Sequence, residues 1–177
     1  LNYAIEENGF PAEAAEPYLT EAFGEIITTA FRTMIAYSNY YLRKKDYAHS
    51  REALLWLLQL LESVKENREA VAYVDKLAAV CYGVCALLSH QLGEENRVEP
   101  FLRRAYALAK AFDEAPTYLA ENLKFSVGHT VEAAMYDDLG ASALEVVENQ
   151  LAQDEESPAV LAAWKKIAEE ERSGGIQ

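Results

Sequence analysis

An all-α chain of antiparallel helical hairpins is predicted by three observations. Apolar residues recur with the period of a helix along most of the sequence, proline and glycine stand at the ends of those stripes, and short polar connectors separate them. No stretch reads as a strand. About seven helices are expected, pairing as 18–43 with 46–65, 69–92 with 98–112, and 118–136 with 141–153, with 158–172 left as a capping helix.

Residues 1–16 read as a weakly helical lead-in, interrupted by Gly9 and Pro11. Pro17 can open a helix at its first turn, and Phe23, Ile27, Phe31, Met34, Ser38 and Tyr41 share one face of that helix. The connector Arg43-Lys44-Lys45-Asp46 ends that arm, and Asp46 is placed to cap the next. Between Ala53 and Leu61 only Gln59 breaks an apolar run, which predicts a central helix covered on more than one side, with Trp56 in the core.

Val71, Val74, Ala78, Cys81, Cys85, Leu88 and Leu92 form the next stripe. Gly83 lies inside it, permitting a close helix approach, and Gly93 stops it. A polar link, Glu94 to Arg97, leads to Pro100 and a helix carrying Phe101, Leu102, Ala105, Leu108, Ala109 and Phe112, with Arg103 and Arg104 on its solvated face. After Asp113 to Pro116, Leu119, Leu123, Val127 and Val131 support a further helix, the alternative being an extended interruption at Phe125, Gly128 and Thr130 with a new helix from near Thr130, and Asp137-Asp138-Leu139-Gly140 reads as a turn. Ser142 with Glu145 has the spacing of a capping box. Ser157-Pro158 opens the last helix, which buries Leu161, Trp164, Ile167 and Ala168 before Ser173-Gly174-Gly175.

A chain of 177 residues that is 51% hydrophobic is expected to form one domain over 1–177. Its 29 acidic residues against 16 basic ones, a formal charge of -13, disfavour direct nucleic-acid binding by this chain. No apolar run reaches the length of a membrane span, and the start at Leu1 has neither an initiating Met nor a signal-like core. The expectation is the C-terminal part of a larger cytoplasmic protein. Cys81 and Cys85, four apart on one helical face, have poor geometry for a disulfide and read as small buried thiols of a reducing compartment. As metal ligands they lack two local companions, since His90 faces elsewhere.

On Ser38, Tyr41, Tyr47 and Ser50 the first hairpin resembles a tetratricopeptide repeat (TPR): a small residue then an aromatic in one helix, an aromatic then a small residue in the next. Met34 stands where that family often has Trp, and Leu57 where it often has Ala. Gly83 and Ala86 with Phe101 and Ala105, then Gly128 and Val131 with Ala143 and Val147, follow more loosely. The resemblance covers about residues 30–153. It implies a TPR-like stack, with a closed helical bundle as the other arrangement, and a concave groove for a protein or peptide. Tyr37, Tyr40, Tyr82, Arg104 and His129 are the candidate binding residues, by analogy of position. The plain alternative for the tyrosines is core and boundary packing.

Catalytic equipment is not legible. There is no Gly-rich phosphate loop, HExxH, DxD pair or nucleophile elbow, and no cofactor or metal is implied. His129 and Glu132 share a face, which suits a hydrogen bond as well as a proton-transfer pair. The functional expectation is a protein-interaction or effector-sensing domain, such as the regulatory domain of a transcriptional regulator, with a homodimer covering excess apolar surface. Alternatives are a helical accessory domain of a small-molecule nucleotidyltransferase and a ligand-binding helical bundle.

Overall fold

The computed structural model describes residues 29–30, 32–64, 71–114 and 142–174. All regular structure among them is helical: α1 (29–43, residue 31 excepted), α2 (Tyr47–Val64), α3 (Val71–Gln91), α4 (Glu95–Glu114), α5 (Ala143–Ala152) and α6 (Pro158–Gly174). The expected lead-in at 1–16, the helix at 118–136, the His129–Glu132 pair and the Asp137-Asp138 turn lie outside the described residues.

Local sequence sets each helix end. Asp46 caps α2, its Oδ1 accepting from the His49 backbone N–H at 3.3 Å and its Oδ2 meeting His49 Nδ1 at 2.8 Å. The two connectors that close the first hairpins are built alike. Lys45 (φ 57°) and Gly93 (φ 72°) each sit two residues before the next helix in the left-handed region. Asp46 N–H donates to Tyr41 O at 3.0 Å as Glu94 N–H donates to Ser89 O at 2.9 Å, which satisfies helix-end carbonyls in the Schellman manner. Ser142 caps α5, accepting from Glu145 N–H at 3.3 Å, as the capping-box spacing predicts. Asp113, at the end of α4, adds a second cap from outside: it accepts from Ser142 Oγ at 2.6 Å, Ala143 N–H at 2.6 Å and Leu144 N–H at 3.2 Å.

Helices α1 and α2 form the first hairpin, locked by a buried Ser38–Ser50 hydrogen bond of 2.8 Å. The second, α3 with α4, has the most extensive packing among the described helices, and α3 also touches α2, α5 and α6. Helix α6 lies along α4 and meets α5 across the short 153–157 connection.

The buried residues repeat in register. Ser50, Leu54, Leu57 and Leu58 on α2 have the spacing of Val98, Leu102, Ala105 and Tyr106 on α4, and of Val160, Trp164, Ile167 and Ala168 on α6. Likewise Cys81, Cys85 and Ser89 on α3 match Ala143, Val147 and Leu151 on α5. Gly83 brings these last two helices together, since a Cβ there would lie 3.2 Å from Val147 Cγ1.

Two expectations are corrected. Helix α4 begins at Glu95, a turn before the position expected from Pro100, because the Gly93 turn delivers the chain already wound and Arg97 N–H bonds Glu94 O at 2.9 Å. Pro100 then forfeits one intrahelical hydrogen bond, to Asn96, an exposed residue whose carbonyl water can satisfy. Trp56 is not core but 63% exposed. Ser50, Leu54, Leu57, Leu58 and Leu61 define the buried face of α2, and at 100° per residue Trp56 stands about 145° from its centre.

Candidate functional site

Every large apolar or aromatic residue that is exposed among the described residues belongs to the first hairpin: Tyr37, Tyr40, Leu42 and Trp56. Around them the rings form a connected cluster. Tyr41 meets Tyr37 edge-on at 4.8 Å and Tyr40 at 5.2 Å, and stacks on His49 at 5.0 Å. Tyr37 donates its hydroxyl hydrogen to the Tyr41 hydroxyl at 3.2 Å, and Lys44 Nζ lies over the Tyr40 ring at 4.4 Å. Asp46 holds the far side of His49, and the His49 backbone N–H keeps that carboxyl below its usual range.

The register locates this cluster. Counted back from Lys45 and Gly93, Tyr41 and Tyr37 on α1 correspond to Ser89 and Cys85 on α3. On α3 those places are buried against α2, where Arg51 Nη1 donates to Ser89 Oγ at 2.8 Å. The matching places of α5 are covered by α3. Counted from the helix starts, Trp56 corresponds to Arg104, which reaches back to Glu62 of α2 at 3.0 Å. Tyr37 and Tyr41 thus occupy places that are buried on α3 and α5, whereas the place of Trp56 stays half exposed on α4, where it is held by Arg104.

Of the residues singled out from sequence, Tyr37 and Tyr40 are brought together in this cluster. Tyr82 and Arg104 are brought together elsewhere, with Tyr82 tilted on Phe101 at 6.0 Å and Arg104 held charged by its hydrogen bond to Glu62. The first pair reaches the start of α2 only through Tyr41, which stacks on His49, and Arg104 reaches its end at Glu62, about 20 Å away along a helix rising 1.5 Å per residue. They do not form one groove wall. His129 lies outside the described residues.

A second feature was not singled out from sequence. A cleft of about 240 Å3 opens where the hairpin turns converge. The first hairpin contributes Leu42, Arg43, Lys45 and Tyr47, and α3 contributes Leu87, Leu88 and Gln91. The α5–α6 connection closes the other rim with Asp154 and Glu156. Gln91 Nε2 donates to the buried Ser157 Oγ at 2.9 Å, fixing that amide in the wall. The signal that pointed here is Arg43-Lys44-Lys45, the longest basic run in an acidic chain, which reads as a mere connector until the turns are placed side by side.

Among the described residues no group of three or more His, Cys, Asp or Glu side chains is arranged to hold a metal, and no helix is long and apolar enough to cross a membrane. Cys81 and Cys85 are free and buried; burial pushes the Cys81 thiol up to about 12 and raises Cys85 as well, so neither is poised as a nucleophile. In comparisons with known proteins, the chain matches no family model, no curated protein and no solved structure.

Proposed function

We propose that this chain is a protein-interaction domain whose first hairpin stacks through Tyr37, Tyr40 and Trp56 onto another helical surface, most simply that of a second copy. One observation carries this reading: Tyr37 and Tyr40 are exposed at places whose counterparts on α3, Cys85 and Leu88, are buried, and Trp56 is exposed on the same hairpin. Tyr and Trp supply large contact area with few rotatable bonds, which is why they dominate interface energetics. A face-to-face pairing closes as a dimer, whereas a head-to-tail one would continue indefinitely.

Sedimentation equilibrium at low and moderate salt tests this. A dimer that tightens as salt screens the charge of -13, and that is lost on Trp56→Ser with Tyr37→Ser, supports the reading. A monomer across the micromolar range at both salts removes the homodimer.

The cleft favours a second reading, effector sensing. Its walls come from all three hairpins, so a bound ligand would bear on how the first hairpin is held against the third.

A further inference from the structure

We propose that the cleft between the hairpin turns binds a small zwitterion with an apolar body, an apolar amino acid or dipeptide. This ligand assignment rests on the sensing reading and adds to it the chemistry of the effector.

Several charges around the cleft have no ion-pair partner among the described residues. Arg51, Arg97, Arg103, Arg104, Lys110 and Lys166 each pair with a carboxylate. Arg43 and Lys45 make no ion pair among the described residues, although the chain carries 29 acidic groups. Both line the cleft, on the rim formed by the first hairpin. On the rim from the α5–α6 connection, the Glu156 side chain is likewise without an ion pair among the described residues, and Asp154 Oδ1 accepts only the Glu156 backbone N–H at 3.0 Å. Cationic and anionic rims thus face one apolar floor, which includes Leu42 and Leu87.

That layout selects the occupant. A simple anion would satisfy one rim and meet repulsion from the other, and a simple cation would do the reverse. An uncharged apolar molecule would desolvate both rims with no compensating partner. A zwitterion answers both at once, its carboxylate toward Arg43 and Lys45, its ammonium toward Asp154 and Glu156. With Gln91 Nε2 engaged by Ser157, the Oε1 atom is left as an acceptor for an ammonium or peptide N–H. Size narrows the choice. The cleft, about 240 Å3, falls below the ~300–1,000 Å3 of sites for drug-sized ligands, which leaves room for an amino acid or dipeptide but not a nucleotide cofactor.

The test is a nitrogen-15 NMR titration of the full chain with L-leucyl-L-leucine, beside N-acetyl-L-leucine (anion only) and L-leucinamide (cation only). Expected are saturable shifts of the Leu42, Leu87, Gln91 and Glu156 amides, with each half-charged probe binding at least about tenfold more weakly. Arg43→Glu with Lys45→Glu should abolish those shifts and leave the remaining spectrum in place, which separates lost binding from lost folding. No saturable shift up to about 10 mM dipeptide overturns the inference. So does N-acetyl-L-leucine binding as tightly as the dipeptide, which would make the cleft a plain anion site. Saturable binding without any change in sedimentation would keep the zwitterion and remove the sensing role.

Discussion

The guanidinium of Arg51 on α2 grips the Glu94 carboxylate at the head of α4 with two hydrogen bonds, Nη1 to Oε2 at 2.8 Å and Nη2 to Oε1 at 3.1 Å. The same Nη1 donates to buried Ser89, so one side chain fastens the first hairpin to both arms of the second. This bidentate pairing holds the Glu94 carboxyl below its usual range.

Replacing Arg51 with Met should therefore destabilise the fold by about 2 kcal/mol at neutral pH, the scale of a lost charge-assisted hydrogen bond to a buried group. Because the folded-state pKa of Glu94 is lowered, its share is fully present above the ordinary Glu value, about 4.3, and fades as pH falls through the lowered one. Denaturant midpoints of parent and variant should accordingly converge in acid. A gap that stays constant from pH 7 to below the carboxylate range would show that Glu94 contributes nothing.

The two tryptophans should behave oppositely. Trp164 is 1% exposed and packs on Tyr106 with ring centroids 5.5 Å apart, so Trp164→Ala should cost about 3–5 kcal/mol. Trp56→Ala should stay within about 0.5 kcal/mol of the parent in urea unfolding under monomeric conditions. An equal loss at both sites would place Trp56 back in the core.

Gly83 tests the approach of α3 to α5. Alanine there gains up to about 1 kcal/mol of helix propensity but must shift Val147 by a few tenths of an ångström, so Gly83→Ala should be close to neutral. Gly83→Leu has no such margin and should cost about 3 kcal/mol, read from the shift in thermal midpoint. A second substitution, Val147→Ala, should recover part of that loss.

For the cysteines the expectation is inertness. Neither Cys81 nor Cys85 should react with iodoacetamide in the folded protein near neutral pH, and both should react in denaturant, as counted by mass spectrometry. Rapid native labelling would mean that α3 opens far more readily than its packing implies.

Much of the fold was legible because its punctuation is local. Asp46, Gly93, Ser142 with Glu145, and Pro158 mark helix ends through chemistry that acts within a few residues. Trp56 was misplaced because an apolar run from Ala53 to Leu58 carries no phase: period alone cannot tell which side of α2 lacks a neighbour. The start of α4 was missed because Pro100 is a strong local signal and the turn at Gly93 overrides it. Arg51 with Glu94 escaped notice because the two are far apart in sequence. The cleft did so for the same reason, its walls coming from three separate turns. Tyr37 and Tyr40 were singled out by analogy of position, and the structure leaves both exposed where their counterparts Cys85 and Leu88 are buried.

Asp113 makes one side chain serve two helix ends. It lies in the last turn of α4 and accepts from Ser142 Oγ and from the Ala143 and Leu144 N–H groups, which the first turn of α5 leaves unpaired. One carboxylate therefore couples the fraying of the two ends: the first turn of α5 cannot unwind without releasing the end of α4, so the two helices lose order together rather than one at a time.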